Sequence, residues 1–375
     1  MASPSSIRSM VAAAKAGGFN TLFVQVRGRG DAYYTSRLEP RARALQQQPA
    51  SFDPLAQVLS EAHGAGLSVH AWMCVNLVAD VSDIPTSPAH IVRSHPEWLM
   101  VPRELLPKRG RLDSRAARFL PALIAWTKGQ DGRVEGLFAS PLVEGAAAHV
   151  IRVLDDLVAH YAVDGVHLDY VRYPGAQFDM SEGALEAFTA EISRTMTPDA
   201  RLQLERVTRA NPATVVDLYP NSWQDFRRDR LTALVRRLRA TAVVRRPGTL
   251  VSAAVVPDLD VARESRGQDW GVWASSGILD AICPMIYSTD VDAFQRQLVA
   301  ARSASEGRLL FAGIGAYRLP LSQTVRHIEL ARQAGADGVA LFSYDSLAGL
   351  DAGGSAFTTI GRAAFDVGPQ GGRPR

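Results

Sequence analysis

The residues best able to do chemistry stand at the ends of short apolar runs. The densest group lies in Asp164-Gly-Val-His-Leu-Asp-Tyr-Val-Arg-Tyr-Pro174. If this run is a strand, alternation puts His167 and Asp169 on one face, with Arg172 and Tyr173 just beyond. A second run ends in His70-Ala-Trp72, with Asn76 after it, and pairs His70 with Trp72 in the same way. Arg27, Asp31 and Tyr33 follow an earlier run. Asp258 follows a fourth run, Tyr287 ends a fifth, Tyr317 follows a sixth, and Tyr344 and Asp345 close the last.

Polar and charged groups at so many strand ends are costly in a core and make sense along a polar cleft. Aromatic rings beside carboxylates and arginines suit sugars, which offer an apolar face to stack and a rim of hydroxyls to bond. Glycosidic cleavage normally uses two carboxyl groups, one as acid and one as nucleophile or base. Asp169 is the first candidate. Arg172 is expected to lower its pKa and His167 to orient it, which suits a nucleophile or charge stabiliser. Asp258 and Asp345 are the candidates for the acid. Arg27, Asp31, Tyr33, His70, Trp72, Asn76, His167, Arg172, Tyr173, Tyr287 and Tyr344 are expected to bind substrate.

Each assignment has a structural alternative. Asp169 could cap a helix or pair with Arg172. Asp258 could cap the next helix, and Asp345 could belong to a turn. His70 could be a satisfied structural histidine, and Trp72 a core residue. Arg27 and Asp31 could pair only to shape their glycine-rich loop. That loop has no Walker spacing, so it does not predict a phosphate cradle.

The elements that position these groups repeat one pattern. A helical stretch ends in glycine, and a short β-branched apolar run follows, as in Lys15-Ala-Gly-Gly-Phe-Asn-Thr-Leu-Phe-Val and Gln333-Ala-Gly-Ala-Asp-Gly-Val-Ala-Leu-Phe. Glycine tolerates the left-handed residue that stops a helix. Continuous apolar strands after such stops predict a parallel sheet covered by helices. Seven strands are expected, near 21–26, 67–73, 165–171, 249–256, 280–287, 309–315 and 338–344. Helices are expected at 53–64, 143–161, 224–244, 291–303 and 321–334. The fold class is α/β, a (β/α)8 TIM-type barrel lacking its first strand, in one domain over residues 1–365. The chain opens on a helix, with Ser5 or Ser6 as its cap. Residues 74–140 and 174–223 read as long loops, the latter with a helical piece near 181–196. Residues 366–375 read as a disordered tail.

Composition narrows the classes. The net charge is +3 over 375 residues, and the many arginines are scattered among acids. That argues against nucleic acid as a partner. The cluster Arg236, Arg237, Arg239, Arg245 and Arg246 reads as a solvated helix face. The two cysteines, Cys74 and Cys283, make neither a disulfide framework nor a zinc signature, and read as free, partly buried thiols. No apolar run approaches the ~18 residues of a membrane span. No signal peptide opens the chain. No ligand set with known spacing calls for a metal, and nothing calls for a cofactor.

Several blocks together resemble the glycosyl hydrolase-like family 10 proteins. They are Gly18-Phe-Asn-Thr-Leu-Phe-Val-Gln-Val-Arg-Gly-Arg-Gly-Asp-Ala-Tyr-Tyr, Asp53-Pro-Leu, Glu61-Ala-His-Gly-Ala-Gly-Leu-Ser-Val-His-Ala-Trp and His95-Pro-Glu-Trp. Tyr161-Ala-Val-Asp-Gly-Val-His-Leu-Asp-Tyr-Val-Arg-Tyr-Pro is the most specific, and Pro284-Met-Ile-Tyr and Gly338-Val-Ala-Leu-Phe-Ser-Tyr-Asp-Ser-Leu complete the set. The resemblance spans about residues 5–365. It implies a (β/α)8 barrel acting as a glycosidase in the bacterial envelope, periplasmic or extracellular, with peptide-free peptidoglycan strands as one substrate class. It puts a catalytic aspartate at Asp169. Tyr170 stands where many members carry a second aspartate, and Cys74 where many carry asparagine.

The leading expectation is therefore a glycoside hydrolase acting on a cell-wall or amino-sugar polymer. A non-catalytic glycan-binding barrel would keep the aromatic cleft and lose the acid–base pair. A metal-dependent amidohydrolase would use His70, His167 and Asp169.

Overall fold

A computed structural model of the chain describes residues 3–107, 112–349 and 355–365. The expected tail at 366–375 lies outside the described residues. Seven parallel strands form one curled sheet: β1 (Thr21–Arg27), β2 (Ser68–Cys74), β5 (Gly165–Asp169), β6 (Leu250–Val255), β7 (Ala281–Pro284), β8 (Leu309–Gly315) and β9 (Gly338–Phe342), hydrogen-bonded in that order. All seven fall where the apolar runs predicted them. The remaining pair, β3 (Leu77–Ala79) and β4 (Leu137–Phe138), is antiparallel and separate. Helices Pro4–Ala16, Pro54–Gly64, Glu144–His160, Pro220–Arg245, Val291–Ala304 and Leu321–Gln333 cover the sheet. The glycine stops behave as read: Gly18, Gly66 and Gly335 take φ of 73°, 74° and 76° just before β1, β2 and β9.

One side-chain device recurs on the face of the sheet where strands begin. The Asp164 carboxylate accepts the Val69 N–H at 2.7 Å, while its own N–H donates to the Val69 carbonyl at 2.9 Å. Asp280 does the same with Val251, and Asp337 with Leu310, each carboxylate contact at 2.9 Å. Each ties the start of a strand to the start of its predecessor in the sheet. Each also meets a cation or imidazole from a covering helix: His63, Arg239 and Arg302 respectively.

Three expectations change. The first helix is capped by Ser3, with Pro4 as its first residue, and Ser6 completes a capping box rather than serving as the cap. Residues 74–140 are not a plain loop. They hold β3, β4, the helix Phe119–Lys128 and an apolar cluster of their own that includes Val78, Ile91, Leu99, Phe119 and Leu123. Residues 174–223 hold the expected helix, Glu182–Ser193, and two further ones, Pro198–Ala210 and the short Thr214–Leu218. Pro198–Ala210 escaped notice because Leu204 is its one fully buried side chain, so no apolar stripe marks it. The arginine cluster is a solvated face: Arg237 pairs with Glu144, and Arg245 with Asp155.

Candidate active site

The C-terminal ends of the seven strands surround a cleft of about 1530 Å³. Its wall carries Trp72, His167, Asp169, Arg172 and Tyr287 from the strand ends, Asp31 and Tyr33 from the loop after β1, and Tyr344 and Asp345 from beyond β9. The register explains the meeting. Trp72 lies opposite His167, and Cys74 opposite Asp169, so side chains two apart on β2 and β5 point into the same space.

Asp169 is buried at the floor of this cleft. Its Oδ2 accepts the indole N–H of Trp72 at 3.0 Å, and its Oδ1 accepts the backbone N–H of Tyr170 at 2.6 Å. Arg172 Nη1 stands 3.8 Å from Oδ1, beyond hydrogen-bond reach. Burial pushes the Asp169 carboxyl above its ordinary range, and it outweighs the opposing pull of Arg172, the Tyr170 N–H, Trp72 and Arg29. Arg172 thus pulls in the expected direction, but the net shift is upward, against the expected lowering. His167 does not orient Asp169. His167 Nδ1 meets Ser252 Oγ at 2.9 Å, and its ring lies edge-on to Phe23 at 4.8 Å. Burial depresses its pKa to about 3, so it is a neutral imidazole.

Tyr170 takes φ of 49°, left-handed for a residue with a side chain, and such strain clusters at functional sites. The twist lays its ring under Arg172, 4.2 Å from the guanidinium carbon to the ring centroid, with the Arg29 guanidinium at 5.9 Å. The other arm of Arg172 reaches Glu135, Nη2 to Oε1 at 3.2 Å. Burial opposes the charge of Arg172, but Asp169 and Glu135 outweigh it and raise its pKa.

Aromatic rings form one side of the cleft. Trp72 meets Phe342 edge-on at 5.9 Å, and Tyr287 stacks on Phe342 at 5.9 Å with 10° between planes. Asp31 accepts the N–H groups of Gly28 and Arg29, so its carboxylate also shapes its loop. Asp345 is exposed at the cleft edge in the first turn of Tyr344–Gly349.

Other predicted residues lie elsewhere. Arg27 is fully buried behind β1, where it makes a bidentate pair with Glu39 and donates to the Cys74 and Val75 carbonyls. His149 joins the same carboxylate at 3.2 Å. Asn76 is buried and donates to the Ala139 carbonyl. Tyr173 is buried, with its hydroxyl on the Arg227 carbonyl. His70 packs edge-on to Phe23 at 5.1 Å, below the cleft. Asp258 is exposed, and its carboxylate caps the turn at Val261, the structural alternative weighed for it. None of these five lines the cleft. Four of them sit at or just beyond a strand end and His70 sits inside β2, and position along a strand alone does not decide what a side chain meets.

Sequence reasoning missed Glu135, Arg29 and Phe342. Phe342 was legible as the inward alternate of β9. Glu135 belongs to a stretch read as loop, and nothing local marks it. Both cysteines are free and fully buried, and burial raises each thiol to about 12. Among the described residues no group of three His, Cys, Asp or Glu side chains is placed to hold a metal ion.

Similarity to known proteins agrees with this architecture. The chain is 24% identical to the glycosyl hydrolase YngK of Bacillus subtilis over 295 residues, covering 72% of this chain and 46% of YngK. It is also 24% identical to the glycosyl hydrolase DigH of Escherichia coli over 283 residues, covering 72% of this chain and 55% of DigH. The matched region thus spans about half the length of these relatives. Among solved structures, the glycoside hydrolase domain of PgaB (BpsB) from Bordetella bronchiseptica superposes with a TM-score of 0.62 at 15% identity, covering 95% of this chain and 92% of that one. A β-galactosidase from the psychrophilic Marinomonas ef1 gives a TM-score of 0.62 at 14% identity, over 96% of this chain and 57% of that one. At such identity these structures share the fold. The family model described as glycosyl hydrolase-like 10 matches residues 3–310, and the chain belongs to that family.

Proposed function

We propose that this barrel is a glycosidase that cleaves a bacterial cell-wall or amino-sugar polymer outside the cytoplasm. Peptide-free glycan strands are its substrate class. The observation that carries the reading is Asp169: a buried carboxyl, raised in pKa, at the floor of a cleft walled by aromatic rings and further carboxylates. Asp169 acts as the general acid and gives its proton to the glycosidic oxygen as the C–O bond breaks. The Trp72 indole and the Tyr170 N–H then stabilise the carboxylate left behind. Asp345, exposed on the same cleft, supplies the second carboxylate, as base toward water or as nucleophile. Trp72, Tyr287 and Phe342 offer the ring faces on which a pyranose stacks.

The test is release of reducing ends from peptide-free and peptide-bearing strands. Turnover of the peptide-free strands, lost in Asp169→Asn, supports the reading. Saturable binding without turnover on any strand would replace it with a glycan-binding barrel. Equal turnover of both strand types would remove the peptide-free clause.

A further inference from the structure

Arg172 is held between two carboxylates and bonds fully to one. Its Nη2 donates to Glu135 Oε1 at 3.2 Å, while its Nη1 stops 3.8 Å from Asp169 Oδ1. That Nη1 is buried and has no hydrogen-bond partner. A free guanidinium would close a gap this small, since a charge-assisted bond is shorter, about 2.7–2.9 Å, and stronger than a neutral one. Two contacts bear on where it sits: the bond to Glu135, and the Tyr170 ring, 4.2 Å from the guanidinium carbon. Glu135 itself lies between β4 and the helix Phe119–Lys128 and does not line the cleft. Its hydrogen bond toward the site is the one from Arg172.

We propose that Glu135 is a positioning residue for the cleft acid: by holding one arm of Arg172, it keeps that guanidinium out of a direct ion pair with Asp169. The inference rests on Asp169 serving as the acid. The groups that face Asp169 are Trp72 and Cys74 from β2, Arg29 from the loop after β1, Tyr170 and Arg172 after β5, and Cys283 and Tyr287 at β7. Arg172 is the one among them with a second carboxylate on its other arm. Arg266 also feels Glu135, but its guanidinium donates to the Pro174 carbonyl.

The experiment compares wild type, Glu135→Gln and Glu135→Asp. Glutamine keeps the shape and removes the charge, so Arg172 should close on Asp169 and favour its ionised form. Activity that needs a protonated acid falls as pH rises through the acid's pKa. In Glu135→Gln the alkaline limb of kcat/KM on peptide-free strands should therefore move at least about one pH unit toward acid, in keeping with a neighbouring guanidinium's usual effect. Glu135→Asp should restore most of the displacement. In parallel, the Asp169 carboxyl is titrated by 13C NMR in the same proteins, with Asp169→Asn fixing its assignment. The NMR midpoint should fall in Glu135→Gln by the same amount. An unmoved NMR midpoint overturns the proposal, whatever happens to kcat or to stability. A displaced limb without a displaced midpoint does so too. If no strand is turned over, the glycosidase reading fails, while the NMR midpoint still decides whether Glu135 sets the proton affinity of Asp169.

Discussion

Trp72 and Asp169 stand on neighbouring strands and are joined by a 3.0 Å hydrogen bond from the indole N–H to the carboxyl Oδ2. The same indole meets Phe342 edge-on. On the proposed function Trp72 has two roles, a ring face for substrate and a donor for the acid, and the two can be separated by substitution.

Trp72→Phe keeps a ring and removes the donor. A donor to the carboxylate favours its ionised form, so its loss should raise the Asp169 pKa and move the alkaline limb of kcat/KM to higher pH. Activity should drop on the order of tenfold, about 1.4 kcal/mol of barrier. A pH profile identical to wild type would show that this hydrogen bond does not tune Asp169.

Asp169→Asn should fold and lose activity by about three orders of magnitude or more, on the order of 4 kcal/mol in barrier. Asp258→Ala is its contrast. It removes a turn cap and should lower stability by about 1 kcal/mol or less while leaving turnover unchanged. If Asp169→Asn is well folded and keeps more than about a tenth of the activity, a loss under 1.4 kcal/mol, Asp169 is structural.

The Arg27–Glu39 pair should matter to folding and not to binding. Both side chains are fully buried, and Arg27, with help from His149, holds Glu39 down near 2 against the desolvation that would raise it. Arg27→Met strips the buried Glu39 carboxylate of its arginine and leaves it His149, a loss of about 3–5 kcal/mol. Arg27→Met with Glu39→Gln should recover part of that. Urea melts of the three proteins measure it, and KM of whatever remains folded should match wild type.

His167 gives a dependence on acid. Its folded-state pKa lies near 3, below the unfolded value of about 6.5, so the unfolded chain binds the proton more readily. Its contribution is fully present above pH 6.5 and is lost as pH falls from there toward 3, by on the order of 1.4 kcal/mol per pH unit. His70 and His90, also depressed by burial, act in the same direction. His167→Phe should thus be less stable than wild type at pH 8 and show a shallower decline between pH 6 and 4. Equal slopes would mean that His167 is protonated in the folded protein.

Much of this fold could be read in advance because two local rules act in concert. Gly18, Gly66 and Gly335 stop helices by backbone geometry alone, and the apolar runs after them read as strands of a parallel sheet. The site was legible where alternation applies: His167 and Asp169 share a face because they are two apart. It was not legible where a chain bends after its strand. Arg27 turns inward to Glu39, Asn76 to the Ala139 carbonyl and Tyr173 to the Arg227 carbonyl. Those partners are 12, 63 and 54 positions away, and no spacing rule reaches them. The direction of the Asp169 pKa failed for a related reason. Arg172 is close in sequence and does pull the pKa down, but burial outweighs it, and that burial comes from neighbours on other strands that no local spacing shows.

The aspartates at the far face set a limit on the cleft. Asp164 grips Val69 with its carboxylate and receives the Leu250 N–H on its carbonyl; Asp280 grips Val251 and receives Leu309; Asp337 grips Leu310. Three residues thereby index six strands against one another. In a curled sheet the stagger between strands sets tilt and bore together. A slip that kept side chains on their proper faces would have to be two residues, about 6.6 Å. Such a slip would carry Asp169 clear of the Trp72 indole. The bore in which Asp169 meets its donors is thus gauged from the opposite end of the barrel, by carboxylates that never meet the substrate.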